Sequence, residues 1–324
     1  MRIWERYVPQ IDWYSGWLLP AFVKGWQVIR DNQIDGIIVT GPPFSAMIVG
    51  ALLSRFSGAK LFLDFRDSWA DNMALAQPRF RRGLAPHMEK LAVKSAAAVV
   101  VCSPVMQQNF VSRYNGQCQA PCHVVTSGFW PREDVEPLFL ETRKKTILYA
   151  GSFYGERRIS VLARPIVNLI QQGLLDKDFL TVHVFGTISP PEQELLRRHG
   201  IADMFQTHPL ATHQTIVKYM RGSDILLLIS GTDVGYAIPF KAFDYLSVRR
   251  PILAIVPRHS ALADLMRTVD CGELAWIHDE ATITESLRKM LFEDPTYTYA
   301  NLQKYTWDRL AEKYATIIKS VLTS

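Results

Sequence analysis

The chain has 324 residues, of which 48% are hydrophobic and 21% are charged, a balance typical of a folded globular protein rather than of a disordered or membrane-spanning one. This length is enough for two α/β domains with separate cores, and no apolar run approaches the roughly 20 residues of a bilayer span. The first ten residues carry Arg2, Glu5 and Arg6 and resemble neither a signal peptide nor a transit sequence, which predicts a cytoplasmic protein.

The net charge of +5 comes from the N-terminal part of the chain, since residues 1–130 hold 13 basic and 8 acidic side chains and residues 131–324 hold 23 of each. The same part contains six of the eight tryptophans, among them Trp4, Trp13, Trp17 and Trp26. Basic charge beside aromatic side chains predicts contact with an anionic membrane, here its inner face, or with a lipid-phosphate acceptor. Packing of these tryptophans inside the protein is an equally weighted alternative. We expect no nucleic-acid partner.

Strand and helix patterns alternate over residues 1–130 and predict a first α/β domain. The predicted strands are the apolar runs at 34–40, 60–64, 98–102 and 123–126. The predicted helices are 44–56, 86–95 and one that opens at Pro104, because proline is favoured at the first helical position. Continuous apolar strands separated by helices indicate a parallel sheet covered on both faces.

A polar stretch without periodicity at 131–145 predicts a linker to a second domain. Residues 146–298 repeat the strand–helix pattern. The predicted strands are 146–150, 180–185, 224–229 and 252–256, and the predicted helices are 159–172, 191–199, 212–221 and 240–248. Two helices close the chain, and the segment 299–324 is expected to form a helix that packs back on the N-terminal domain. The predicted fold class is therefore α/β with two Rossmann-like domains.

The most informative residues follow the strands of the second domain, because ligands bind at the carboxyl ends of parallel strands. The strand at 146–150 runs into the loop GSFYGERR, whose glycines allow a phosphate to approach and whose arginine can hold two of its oxygens. The strand at 224–229 leads into a loop and then a helix that carries Lys241 and Asp244. A cation at a helix N-terminus suits a diphosphate, and a carboxylate one turn later suits a ribose diol.

Four segments together resemble one enzyme family. Residues 239–254, PFKAFDYLSVRRPILA, resemble the donor-site signature P-x-K-x-x-E-Y-L-x-x-G-x-P-I-L of retaining bacterial glycosyltransferases of the sucrose-synthase/mannosyltransferase family. Residues 149–157, YAGSFYGER, resemble the first C-terminal strand and phosphate loop of that family. Residues 40–45, TGPPFS, and 64–69, DFRDSW, resemble the S-x-P-P-F-S and D-F-R-D-x-W elements of its polysaccharide-building members. The four segments occur in the family's order, which argues against a chance match.

The resemblance implies the two-domain GT-B fold, with the donor held by the second domain. It implies that Arg157 and Lys241 neutralise the donor diphosphate and that Asp244, where the family has Glu, binds the ribose hydroxyls. On the acceptor side it implies Arg66 and Asp67, for which pairing with each other is the structural alternative. The base pocket and the other implied donor contacts are His208, Pro209, Leu210, Gly151, Ser152, Gly186, Tyr236, Ala237, Ile238 and Pro239. For His208 an ordinary loop position is the alternative.

Two departures from the family pattern bear on activity. Tyr236 stands eight positions before Asp244, where the family has the first carboxylate of an acidic pair. Family members also begin with a strand and a Gly-rich loop, followed by tens of residues before the segment that starts here near Ile11. The N-terminal domain is therefore expected to be incomplete. The chain would then be a short family member, a chain with a misplaced start, or a subunit that borrows the missing part.

The resemblance implies transfer of a hexose from a nucleoside diphosphate sugar to a glycan or lipid-linked acceptor, with retention and with neither a metal nor a cofactor. The four cysteines have no disulfide-framework density and no second pair at metal-ligand spacing, so free thiols are expected. Two alternatives stay open. One is a non-catalytic partner subunit that binds nucleotide sugar, and the other is a sugar-nucleotide epimerase.

Overall fold

The computed structural model describes residues 15–70, 79–140, 143–153 and 155–323. Trp4 and Trp13, like the opening residues 1–11, lie outside the described residues. The chain forms two compact units, of which the first comprises Met1–Thr126 with Leu310–Ser324 and the second comprises Ser127–Arg309. This division differs from the predicted boundary at residue 130.

The first unit is built on a parallel four-stranded sheet. Its elements are α1 (Leu18–Asn32), β1 (Gly36–Gly41), α2 (Ser45–Ser57), β2 (Lys60–Phe65), α3 (Arg79–Lys94), β3 (Ala98–Val101), α4 (Pro104–Tyr114) and β4 (Cys122–Val124). The strands lie side by side in chain order, and all pairs are parallel. Leu61, Leu63 and Val99 in the two central strands are 0% exposed. Burial on both faces explains why these strands are apolar without alternation.

The second unit contains a parallel six-stranded sheet. Its elements are β5 (Lys145–Ala150), α5 (Ser160–Gln171), β6 (Leu180–Phe185), α6 (Pro190–Arg198), β7 (Phe205–His208), α7 (His213–Gly222), β8 (Ile225–Ile229), α8 (Phe240–Ser247), β9 (Ile252–Val256), α9 (Ala261–Val269), β10 (Gly272–Trp276) and α10 (Glu280–Phe292). The strand order is β10-β9-β8-β5-β6-β7. Neighbouring residues such as Ile147 and Leu148 belong to separate hydrophobic cores. Each face of the sheet is therefore covered by its own layer of helices.

The last helix, α11 (Trp307–Leu322), belongs to the first unit from Leu310 onward. Leu310 and Ile317 are its buried residues, and their spacing puts them on one face of the helix. The helix begins later than the predicted position 299. Tyr299 and Asn301 have φ angles of 50° and 57°, and an α-helix excludes such angles.

The segment 131–140, predicted as linker, packs within the second unit. The backbone N–H of Arg132 donates to the carbonyl of Ser247 at 2.9 Å. The Arg221 guanidinium donates to the carbonyl of Glu133 at 2.7 Å. The polarity of this segment therefore reflects its position on the surface of the second unit, where its backbone is already hydrogen-bonded.

The sequence patterns do not predict α1, β7 or β10, and three helices, α9, α10 and α11, follow β9 where two were predicted. Strands β7 and β10 form the two edges of their sheet, where one side of the strand faces away from its neighbours and a continuous apolar sequence is not required. Helix α1 has no fully buried residue, and its half-buried apolar residues, such as Leu18, Phe22 and Ile29, recur at helical spacing. Helix α3 begins at Arg79 and contains Pro86 in its interior, whereas the sequence suggested that Pro86 opens it. No helix in the described ranges combines the length and the apolar character that a membrane span requires.

Candidate functional site

The order of strands in the second unit defines where a ligand binds. From β5 the chain proceeds through β6 to β7 at one edge, and from β8 it proceeds through β9 to β10 at the other edge. The direction in which the chain adds strands to the sheet reverses between β5 and β8, which are parallel neighbours. Ligands of open α/β sheets bind outside the carboxyl ends of the strands at such a switch point. The loops that follow Ala150 and Ile229 are the ones placed there.

Glu156 ties these two loops together. Its Oε2 accepts hydrogen bonds from the backbone N–H of Thr232 at 2.5 Å and from the Thr232 hydroxyl at 2.7 Å. These bonds favour the ionised carboxylate and hold the pKa of Glu156 below its usual value. His278 Nε2 lies 3.9 Å from the other carboxylate oxygen. Glu156 was not among the predicted site residues, because a Glu beside two arginines in a loop has no distinctive sequence signal.

Lys241 lies at the centre of the switch point. It is the second residue of α8, and its Nζ lies 4.1 Å from the centre of the Tyr149 ring. That ring stacks on Phe153 with 4.3 Å between centroids. Burial and the positive charge of Arg157 lower the pKa of Lys241 to about 7. A ring face favours the charged amine, so burial outweighs that contact here. An anion bound at this point would restore the full charge of Lys241.

Gly151 and Gly186 allow the backbone to approach closely beside this lysine. The φ of Gly151 is +138°, and a Cβ at this position would lie 3.7 Å from Lys241 Nζ. A Cβ at Gly186 would lie 2.1 Å from the Gly151 carbonyl oxygen, a distance that no side chain can occupy. The adjacent Ser152 hydroxyl accepts from Thr187 at 3.3 Å. The structure thus places Gly151 beside both Lys241 and Gly186, and it places Arg157 close enough to Lys241 for its charge to lower the pKa of the lysine.

Asp244 follows Lys241 by one helical turn and contacts a histidine. His213 Nε2 lies 3.0 Å from Asp244 Oδ1, and both side chains are partly exposed, at 57% and 37%. No described residue hydrogen-bonds to Asp244 Oδ2. His213 begins α7 after the N-cap Thr212. Sequence analysis did not select His213, although its position at a helix start beside the predicted base loop is a signal that could have found it.

His208 ends strand β7 rather than standing in a free loop. Its Nε2 lies 3.0 Å from Nδ1 of His183, and its ring stacks on Phe185 with 4.7 Å between centroids. Burial lowers the pKa of His208. Pro209 follows it, and Leu210 is 85% exposed. The structure therefore places an aromatic stack at the carboxyl edge of the sheet and an exposed leucine in the segment that leads from it to His213.

The loop before α8 contains the remaining predicted contacts. Pro239 occupies the N-cap position of α8 without a side-chain hydrogen bond to the helix. Ile238 packs against the core beneath it, and the N–H of Ala237 donates to the Val234 carbonyl at 2.9 Å. Tyr236 lies in this loop with its side chain partly exposed. A tyrosine thus stands where the resemblance implies a carboxylate.

Arg66 and Asp67 belong to the first unit, in the loop after β2. Arg66 Nε donates to Asp64 Oδ2 at 2.9 Å, and Nη1 donates to the carbonyls of Val125 and Thr126 at 3.1 and 3.3 Å. Arg66 therefore forms an ion pair with Asp64. Burial raises the pKa of Asp64, and the Arg66 charge opposes this effect. Asp67 Oδ1 accepts from the N–H of Ser68 at 2.8 Å.

The Asp-x-Asp triplet of the chain, residues 176–178, lies away from these loops. It precedes β6 (Leu180–Phe185), so it lies at the amino edge of the sheet, opposite to the switch-point loops. Asp178 forms an ion pair with Lys144 at 3.2 Å, and Asp176 accepts from the N–H of Asp178 at 2.8 Å. Its place in the fold separates it from the candidate donor site.

Residues 2–128 match the model of the glycosyl transferase 4-like domain. The enzyme class is glycosyltransferase. This confirms the class predicted from the motifs. A search of curated proteins found no sequence match to this chain.

Solved structures resemble this glycosyltransferase over nearly its whole length. Sucrose-phosphate synthase from Thermosynechococcus elongatus is 14% identical, with 96% of this chain and 80% of that chain covered and a TM-score of 0.66. A glycosyltransferase from Rickettsia africae is 13% identical over 94% and 81% of the two chains, with a TM-score of 0.68. Anabaena HepE, solved with UDP, is 14% identical over 93% and 82%, with a TM-score of 0.64. Such identities concern the fold alone, and they confirm an α/β fold of the two-domain GT-B type.

Proposed function

We propose that this glycosyltransferase moves a hexose from a nucleoside diphosphate sugar to a hydroxyl of a glycan or lipid-linked acceptor, with retention at the anomeric carbon and without a metal. The observation that carries the proposal is the convergence of Lys241 and Arg157 beside the Gly151 backbone, at the switch point of the second sheet. Two cations beside a glycine backbone that carries no side chain suit a diphosphate better than any uncharged ligand.

The main contribution that the reaction requires from the protein is stabilisation of charge on the leaving group. The bond from the anomeric carbon to the diphosphate oxygen breaks, and a bond from the same carbon to the acceptor oxygen forms. The acceptor hydroxyl gives up its proton, which the departing diphosphate oxygen can accept. Negative charge grows on the departing diphosphate, and Lys241 and Arg157 stabilise it. Because the diphosphate favours protonated Lys241, the ammonium is charged when the leaving group departs. Retention is proposed from the resemblance of residues 239–254 to retaining enzymes.

For the acceptor side we propose Arg66 and Asp67. The bonds of Arg66 to Asp64 and to two backbone carbonyls fix its guanidinium near the carboxyl ends of β2 and β4. This is the edge at which a parallel sheet binds ligands. A fixed cation there suits an acceptor that carries phosphate, such as a lipid-linked one.

We also propose peripheral contact with an anionic membrane, which would place the enzyme at the cytoplasmic face. Trp17, Leu19 and Phe56 are 44%, 73% and 64% exposed, and Trp17 is the N-cap residue of α1. The exposed Lys24 and Arg55 lie on α1 and α2, the helices that carry Leu19 and Phe56. Exposed aromatic and aliphatic side chains beside basic ones suit a lipid headgroup layer. Trp69, in contrast, is buried and stacks on Phe44 with 5.1 Å between centroids, so internal packing accounts for part of the tryptophan content.

Tyr236 favours a second candidate, a non-catalytic partner that binds nucleotide sugar. The residue stands where the resemblance implies a carboxylate, and a phenol does not supply that charge at neutral pH. The nucleotide site of this candidate would be the same.

Incubation with a panel of nucleotide sugars tests both candidates. Thermal shift measures binding, and release of nucleoside diphosphate, with and without glycan or lipid-linked acceptors, measures turnover. Release that depends on an acceptor supports the transferase, and it should be lost in Lys241→Ala. Binding without release supports the partner subunit, and an isomerised sugar formed without acceptor would point to an epimerase. Absence of any binding would refute the nucleotide site itself.

A further inference from the structure

We infer that His213 is a positioning residue for the nucleotide ribose, which holds the Asp244 carboxylate so that its other oxygen can accept a ribose hydroxyl. The inference rests on the proposed nucleotide site and extends it to a residue outside the motif at 239–254. The contact between His213, the first residue of α7, and Asp244, the fifth residue of α8, carries it.

The geometry leaves one carboxylate oxygen for a ligand. His213 Nε2 lies 3.0 Å from Asp244 Oδ1, a hydrogen-bond distance at which the ring nitrogen donates and the carboxylate accepts. Within the described part of the chain, no hydrogen bond reaches Asp244 Oδ2. A carboxylate held at one oxygen and open at the other presents a charged acceptor in a fixed direction.

The position of the pair fits a ribose. Asp244 lies one turn after Lys241, the proposed diphosphate contact, and His213 starts the helix that follows residues 208–210, the proposed base contact. The ribose of a nucleotide lies between its base and its diphosphate. The His213–Asp244 pair therefore comes between the proposed base contact and the proposed diphosphate contact, as the ribose comes between the base and the diphosphate.

The sequence itself shows why a second residue is needed. Asp244 stands where the resemblance implies Glu, so the side chain is one methylene shorter and its reach depends more strongly on orientation. His213, from the facing helix, sets that orientation. An exposed pair of this kind adds little to folding stability, so a structural role alone does not account for it.

The test uses UDP and GDP together with their 2′-deoxy and 3′-deoxy forms, measured by isothermal titration calorimetry. The parent protein should bind a ribonucleotide more tightly than the form lacking the hydroxyl held by Asp244. His213→Ala should weaken ribonucleotide binding by about fivefold to tenfold. It should have no further effect on that deoxynucleotide, because the two changes remove the same interaction.

Two variants control the experiment. His213→Gln keeps an N–H donor near the position of Nε2 and should restore most of the affinity. His199→Ala, at an exposed histidine of the same unit, should bind as the parent does. The melting temperatures of the free variants should match that of the parent.

Three results would overturn the inference. If His213→Ala binds ribonucleotides like the parent, His213 positions nothing. If it weakens ribo and deoxy forms equally, its effect does not pass through the ribose. If the parent binds UDP or GDP in a Lys241-dependent way but does not distinguish ribose from deoxyribose, the diphosphate site stands and only the ribose inference fails. Failure of the parent to bind either nucleotide would remove both proposals.

Discussion

Raising the pH above neutrality is expected to weaken nucleoside diphosphate binding, because it discharges Lys241 in the free protein. Burial and the Arg157 charge lower the pKa of this lysine to about 7. A bound diphosphate favours the ammonium and raises that pKa again. Binding above pH 7 therefore requires the uptake of one proton.

The magnitude follows from proton linkage. Where the free protein has lost the proton and the complex retains it, the dissociation constant rises by about tenfold per pH unit. The terminal phosphate of the nucleotide has its last pKa at about 6, so the ligand does not titrate in this range. The steep region thus lies between about pH 7 and the pKa of Lys241 in the complex.

The stability of the free protein should change in the opposite direction. The pKa of Lys241 is lower in the folded state than the ordinary value of 10.5, so the unfolded chain binds more protons between these values. The free energy of unfolding should rise with pH in this window, by at most about 1.4 kcal/mol per pH unit from this group. Below about pH 7 both states carry the proton, and the contribution to the slope disappears. Lys241→Met should remove it.

Calorimetric titration with UDP and GDP in two buffers of different protonation enthalpy measures the proton uptake directly. At about pH 8.5 the expected uptake approaches one proton per nucleotide bound. Lys241→Met should abolish the uptake, and Lys218→Met, at an exposed lysine of α7, should leave it unchanged. Equal affinity and no proton uptake across the range, together with weak binding by Lys241→Met, would show that Lys241 is already protonated in the free protein and would refute the reasoning from burial.

The remaining predictions concern single residues and the membrane surface. Lys241→Ala and Arg157→Ala should each weaken UDP or GDP binding by a few kcal/mol, roughly the loss of a charge-assisted contact, with an unchanged circular dichroism spectrum; parental affinity in both variants would refute the phosphate assignment. Asp244→Asn should raise the dissociation constant of the nucleotide by about tenfold to hundredfold at constant melting temperature. Asp244→Glu should bind the nucleotide as tightly as the parent or more tightly. A lower melting temperature with unchanged affinity in Asp244→Asn would indicate a structural role. In vesicle sedimentation at low salt the protein should prefer anionic lipid, at about 1 kcal/mol per nearby basic side chain, and Trp17→Ser with Phe56→Ser should reduce binding. Equal binding to neutral vesicles would contradict the membrane proposal.

The central strands could be predicted from the sequence because burial on both faces requires apolar residues along the whole strand. The runs at 180–185 and 252–256 have the same bounds as β6 and β9, since a strand covered on both faces must be apolar throughout. The edge strands β7 and β10 could not be predicted in this way, because an edge strand is only partly buried. Helix α11 begins after two residues with positive φ angles, Tyr299 and Asn301. The apolar pattern of the sequence does not predict the turn that they form.

The candidate site likewise has a part that the sequence predicts and a part that only the structure shows. The glycines, Arg157, Lys241 and Asp244 could be selected from the sequence, because residues that directly follow buried strands share one edge of a parallel sheet. Only the tertiary structure decided how they interact. The contact of Glu156 with Thr232 joins residues 76 positions apart, and that of His213 with Asp244 joins residues 31 apart. The lowered pKa of Lys241 depends in turn on burial and on its distance from Arg157. Sequence determines which chemical groups reach the edge of the sheet, whereas their hydrogen bonds and proton affinities depend on distances that only packing sets.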